Sequence, residues 1–165
     1  GSGFLGRSIL EFILKNTTEE VYTISRSKFD YNFHRQVDLL DVNRVNEVLE
    51  EINPSVVIHC AACPHVKTNE NNPSQIIRDN IETTNNLLSC LKNRPRFILA
   101  SSVTVYGYFD KNKPASWITR TNPLSVYSMT KVACENLVRV YEAQERIWGG
   151  QHAWCLTGYY SEGGI

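Results

Sequence analysis

Three observations predict an α/β fold built on a doubly wound parallel sheet. Short apolar runs rich in β-branched residues alternate with amphipathic stretches of helical period along most of the chain. The clearest runs, Val56-Val57-Ile58-His59-Cys60 and Phe97-Ile98-Leu99-Ala100, are continuous, as in strands covered on both faces. Glycines stand directly ahead of the first amphipathic stretch, where a strand-to-helix loop belongs in such a sheet.

Each element follows from its residues. Phe4 to Lys15 carries Leu5, Ile9, Leu10, Phe12, Ile13 and Leu14, a helix with a broad apolar face. Val21-Tyr22-Thr23-Ile24 is a strand, and Arg35-Gln36-Val37 is a second, shorter one. Asp41 to Ile52 repeats Val42, Val45, Val48, Leu49 and Ile52 at helical spacing, with Asp41 as N-cap and Asn53-Pro54 as stop. Pro73 opens a long helix through Leu91. Tyr108 to Asn122 reads as a loop, and Leu124 to Trp148 as a helix ending at Gly149-Gly150. A further strand is expected from Ala153 to Leu156. Right-handed crossovers would place the helices on both faces of the sheet.

Composition narrows the function. The 165 residues suffice for one domain with a sizeable core. Seventeen basic residues balance seventeen acidic ones, which argues against a polyanion-binding surface and so against a nucleic-acid partner. No apolar run is long enough to span a membrane. Five scattered cysteines fit reduced thiols in a cytoplasmic protein better than a disulfide framework. The chain begins inside a glycine loop that is expected to follow a buried strand, and it is expected to be part of a longer protein. Without that strand the isolated polypeptide is expected to be marginal and aggregation-prone.

The chemistry concentrates in a few motifs. Gly1-x-Gly3-x-x-Gly6 has the spacing that lets backbone approach a pyrophosphate at a helix N-terminus. The other reading is a strand-to-helix turn with no ligand. No acid stands at the end of the Val21–Ile24 strand to take a ribose 2′-hydroxyl; Arg26 stands there instead and favours NADP over NAD. Asp38 is placed either to accept from an adenine amino group or to cap the turn into the next helix. Tyr127 and Lys131 lie four apart on one helix face. An ammonium beside a phenol favours the phenolate, which makes a general acid/base. Ser102 is an upstream hydroxyl, with Thr104 the alternative if the register is offset. Cys60-Ala61-Ala62-Cys63 has C-x-x-C spacing with His65 near it; the strand end explains the position, and no metal is expected. His59 reads as a packed strand histidine.

Taken in order, G-S-G-F-L-G, D-L-L-D, V-V-I-H-C-A-A, D-N-I-E-T-T, F-I-L-A-S-S-V-T-V-Y-G and Y-S-M-T-K resemble the extended short-chain dehydrogenase/reductase superfamily, in its NAD(P)-dependent epimerase/dehydratase family, over residues 1–148. The resemblance implies a Rossmann-type dinucleotide-binding domain over 1–165, lacking its first strand and most of the substrate-binding lobe. It implies cofactor contacts from Gly1, Gly3, Phe4, Leu5, Gly6, Arg26, Asp38, Leu39, Cys60, Ala61, Ala62, Asn80, Tyr127 and Lys131. Asn80 would steady the strand that bears the catalytic hydroxyl. Ser102 would bond the substrate oxygen, Tyr127 would exchange the proton, and Lys131 would hold the nicotinamide ribose.

The small-molecule substrate implied is a nucleotide sugar. Activity like that of a 3β-hydroxysteroid dehydrogenase or dihydroflavonol reductase, or dinucleotide binding without catalysis, are the alternatives. A homodimer through the two long helices is expected by analogy. The chain departs from the family at Val126, where Pro is common, and after Gly150. There Trp154-Cys155-Leu156-Thr157-Gly158-Tyr159 lacks the usual Arg, so no site residue is assigned beyond that point.

Overall fold

A computed structural model describes residues 2–63, 72–108 and 119–148. Elements run α1 (Phe4–Asn16), β1 (Thr23–Ser25), β2 (His34–Gln36), α2 (Val42–Ile52), β3 (Val56–His59), α3 (Pro73–Ile77), a π-helical turn (Arg78–Glu82), α4 (Thr83–Cys90), β4 (Arg96–Leu99), a 3-10 turn (Val103–Tyr106) and α5 (Val126–Ala143). The strand expected at Ala153–Leu156, the middle of the expected Tyr108–Asn122 loop, Gly1 and His65 lie outside the described residues.

The fold is α/β with parallel strands. β1 pairs with β2, from Thr23 opposite His34 to Ser25 opposite Gln36. β3 pairs with β4, from Val56 opposite Arg96 to His59 opposite Leu99. Among the described residues these are two separate two-stranded parallel sheets.

Local chemistry explains the helix boundaries. The Asp41 side chain accepts from Arg44 N–H and caps α2, and Asn53 closes it in the left-handed region at φ 45°. Asn72 caps α3 and Pro73 occupies its first turn. Ser125 and Ser128 exchange hydrogen bonds in a capping box at the start of α5.

Four features add to or correct the sequence reading. First, the β1–β2 connection carries no helix. An aromatic cluster in residues 26–33 fills that space: Tyr22 meets Phe33 edge-on at 5.3 Å, Tyr31 Oη donates to Val21 O at 2.7 Å, and the Arg7 guanidinium lies 5.1 Å above the Phe29 ring. Second, β3 is covered on one side only, with Val56 and Ile58 exposed. Third, the broad apolar face of α1 buries Leu10 alone, leaving Phe4, Phe12 and Leu14 exposed. The reason for both is the same: among the described residues, no strand joins the β1–β2 pair to the β3–β4 pair. Fourth, the last helix stops at Ala143, not Trp148. Glu145 turns the chain at φ 56°, and Trp148 then joins the sheet beside β4, donating to Pro95 O at 2.9 Å and accepting from Phe97 N–H at 3.1 Å.

The core lies where α2, α4 and α5 meet β4. Val45, Val48 and Leu49 of α2, Leu87 and Leu88 of α4, Phe97 and Leu99 of β4, and Cys134 and Val138 of α5 form one buried cluster. Ile147, past the helix end, closes it. This packing fixes α5, the helix of Tyr127 and Lys131, against the end of β4.

Candidate active site

The ends of β1, β2 and β3 and the start of α1 converge on one cleft of about 370 Å³. Its walls are the loop Ser2–Gly6, the segment Ile24–Ser27, Val37–Leu39 and Cys60–Cys63, with Asp79 and Thr83 from the long helix. Ligand crevices in parallel α/β sheets lie at these strand ends. Gly3, Phe4, Leu5, Gly6, Arg26, Asp38, Leu39, Cys60, Ala61 and Ala62, all expected at a cofactor site, line this one cleft.

The glycine loop leaves the first amides of α1 without helical or side-chain acceptors. The first helical hydrogen bond of α1 runs from Arg7 N–H to Gly3 O, so the amides ahead of Arg7 have no acceptor within the helix. No side chain caps that end, and no acid stands in the first turn. A Cβ added at Gly3 would meet nothing within 4 Å. The absent side chain leaves open space on the cleft beside the positive end of the helix.

At the far rim, Arg26 lies 3.9 Å from Asp79 Oδ2, with the Arg side chain largely exposed and the carboxylate largely buried. Asp38 Oδ1 accepts from Leu40 N–H at 3.0 Å, so this carboxylate both shapes the turn and faces the cleft.

Behind the cleft lies a buried polar network. Asn80, in the π-helical turn, is 2% exposed. Its Oδ1 accepts from Cys63 N–H at 2.7 Å, and its Nδ2 donates to Thr130 Oγ1 at 2.9 Å. Thr130 Oγ1 donates to Tyr127 O at 2.7 Å. Asn80 was expected to contact the cofactor and to steady the strand bearing Ser102. It does not line the cleft, and these bonds lead elsewhere: it ties the cleft wall at Cys63 to the first turn of α5.

His59 completes the network. Thr84 donates its only hydroxyl proton to Asn80 O at 2.7 Å. The His59 Nε2 atom lies 2.9 Å from that hydroxyl. Burial, reinforced by the Lys131 charge, pushes the His59 pKa down to about 3. It is a neutral packed histidine. Burial likewise raises the Cys60 thiol, while the Lys131 ammonium pulls it down. Lys131 itself is 2% exposed, a buried cation whose field reaches the cleft wall.

Ser102 follows β4 and caps the 3-10 turn, with its Oγ accepting from Thr104 N–H at 3.3 Å and lying 2.9 Å from Thr104 Oγ1. The two candidate hydroxyls are thus neighbours. The 3-10 turn packs on α5. Gly107 makes this possible: at φ +66° its Cβ would lie 2.2 Å from Asn122 O, so only glycine lets the chain leave the turn beside the segment leading to α5. Tyr106 is half-buried and Tyr108 exposed. Sequence reasoning gave no role to Asp79, Thr83, Thr84, Thr130 or Cys134. The first four lie within D-N-I-E-T-T and Y-S-M-T-K, which was the available signal; Cys134 is an ordinary helix residue until the fold places it.

This is the architecture of an α/β dinucleotide-binding domain. Residues 1–149 match the model of the NAD dependent epimerase/dehydratase family, and the chain belongs to that family, a family of enzymes. It is 27% identical to a dTDP-glucose 4,6-dehydratase of Haemophilus influenzae, over 86% of this chain and 49% of that protein. It is 30% identical to a UDP-glucose 4-epimerase of Schizosaccharomyces pombe, over 94% of this chain and 44% of that protein. The UDP-glucuronic acid 4-epimerase from Bacillus cereus, solved with UDP-glucuronic acid and NAD, superposes with a TM-score of 0.76 at 27% identity, covering 89% of this chain and 52% of the other. The chain spans about half the length of the curated relatives it matches. No helix among the described residues is long and apolar enough to cross a membrane.

Proposed function

We propose that this chain is the dinucleotide-binding domain, spanning 1–165, of an oxidoreductase-type epimerase or dehydratase acting at a carbinol or ketone carbon of a nucleotide sugar. The observation that carries the reading is the open, uncapped glycine loop in the cleft that also takes in the ends of β1, β2 and β3. The relatives' names, which are those of nucleotide-sugar enzymes, support the substrate class.

A bound nicotinamide would supply the hydride exchange. The amides ahead of Arg7 and the space at Gly3 hold the pyrophosphate, and the backbone of Cys60–Ala62 flanks the cofactor. Tyr127 takes or gives the hydroxyl proton of the reacting carbon. Lys131 supplies the positive charge that favours the phenolate and bonds the ribose. Ser102 bonds the substrate oxygen, with Thr104 Oγ1 beside it. Arg26 supports use of NADP as well as NAD, while the Asp79 carboxylate beside that guanidinium opposes a 2′-phosphate. Titration with both cofactors separates these. The exposed faces of α3, α4 and α5, including Ile77 and Val140, suit a homodimer.

Replacing Tyr127 with Phe in the protein encoded by the full gene tests the assignment. Turnover of dTDP-glucose or UDP-glucose should fall by about a hundredfold or more with cofactor binding intact. Undiminished turnover would remove Tyr127 from its role.

A further inference from the structure

Glu135 stands one turn beyond Lys131, so Tyr127, Lys131 and Glu135 form a stripe at four-residue spacing on α5. It is 7% exposed. A carboxylate is rarely buried unless hydrogen bonds or charge hold it. Two groups do. Arg139 Nη2 lies 3.8 Å from Oε2, but that guanidinium is mostly in solvent, where an ion pair contributes little. Ser101 Oγ donates to Oε1, and this contact crosses from the helix to the segment that follows β4.

Ser101 immediately precedes Ser102. The backbone at Ser102 is extended, φ −148° and ψ 144°. Consecutive side chains on extended backbone leave on opposite sides. Holding Ser101 against α5 therefore sets the side on which Ser102 leaves the backbone, where its hydroxyl meets Thr104.

We propose that Glu135 is a positioning residue for the catalytic hydroxyl. Through Ser101 it fixes the rotation of the β4 end, and so the placement of Ser102 relative to Tyr127 on the same helix. This rests on the reading of Ser102 and Tyr127 as the catalytic pair.

The test uses the protein encoded by the full gene, with NAD and with UDP-glucose and dTDP-glucose as probes. Ser101→Ala and Glu135→Ala should each lower kcat by about a hundredfold, the scale of a misplaced reacting group, with KM and NAD affinity little changed. The double variant should lose no more than either single one, because both remove one shared contact. Glu135→Gln keeps an acceptor oxygen and should recover most of the rate.

A second readout needs no turnover. Amide hydrogen exchange over Ser101–Tyr106 should quicken in Ser101→Ala and Glu135→Ala but not in Glu135→Gln, while α5 stays protected. Full kcat in a folded Ser101→Ala, additive losses, or unchanged exchange would overturn the proposal. If neither sugar is turned over, the exchange result decides it; if Glu135→Ala does not fold, Ser101→Ala carries the test. An active Tyr127→Phe variant would instead overturn the catalytic reading and leave the contact between Glu135 and the β4 end to stand or fall on exchange.

Discussion

Gly3 separates a ligand requirement from a folding requirement. Its backbone is ordinary, φ −76°, and a Cβ there would touch nothing in the protein. Gly3→Ala should therefore leave the thermal midpoint nearly unchanged. Dinucleotide affinity should weaken by at least about tenfold, or about 1.4 kcal/mol. Calorimetric titration beside a melting curve checks both halves; equal affinity would mean that the cleft holds no pyrophosphate at this loop. Gly107 is the opposite case, required by backbone geometry and by the carbonyl of Asn122. In the sequence the two glycines look alike. Spacing ahead of a helix marked the first, and only the positive φ explains the second.

At the scale of elements, the long helix from Pro73 to Cys90 is interrupted by one π-helical turn, and Asn80 sits in it. Such bulges re-aim a side chain within a helix and are frequent at functional sites. Asn80→Ala would remove the side-chain acceptor of the Cys63 amide and the donor to Thr130 Oγ1. It should cost about 1–3 kcal/mol of stability, read from denaturant midpoints, and should loosen the cleft wall at Cys63. His59, on β3, carries a pH signature. Its folded pKa, about 3, lies below the ordinary value of 6.5, so between those values the unfolded chain binds a proton that the folded one refuses. The contribution is complete above pH 6.5 and is lost as pH falls, by about 1.4 kcal/mol per pH unit within that window. Urea midpoints at pH 6.5 and 5 should differ more in the wild type than in His59→Gln. Helix α2 was legible because its cap, Asp41, stands in the sequence beside periodic apolar residues, whereas the Ser125 cap of α5 emerged only in the structure. The end of α5 was not legible: nothing short of the sheet shows that Ile147 and Trp148 belong to β4's neighbour.

For the whole molecule, the exposed Phe4, Phe12 and Leu14 of α1 and Val56 and Ile58 of β3 leave apolar surface uncovered by the described residues. Surface of this kind on a soluble chain drives association. The 165-residue polypeptide by itself should bind a hydrophobic dye and elute as more than a monomer. A monomeric, cooperative thermal transition would refute that. Order along the chain was enough to read the fold class and most of the cleft. Strand alternation, the glycine spacing and the Tyr127–Lys131 helix are local patterns, and local patterns reflect backbone period and capping, which the sequence alone sets. Tertiary structure decided which distant side chains share a buried hydrogen bond. Asn80 to Thr130, His59 to Thr84, and Ser101 to Glu135 each join residues far apart in sequence, through groups that have no distinguishing pattern until packing removes water and brings their partners within reach.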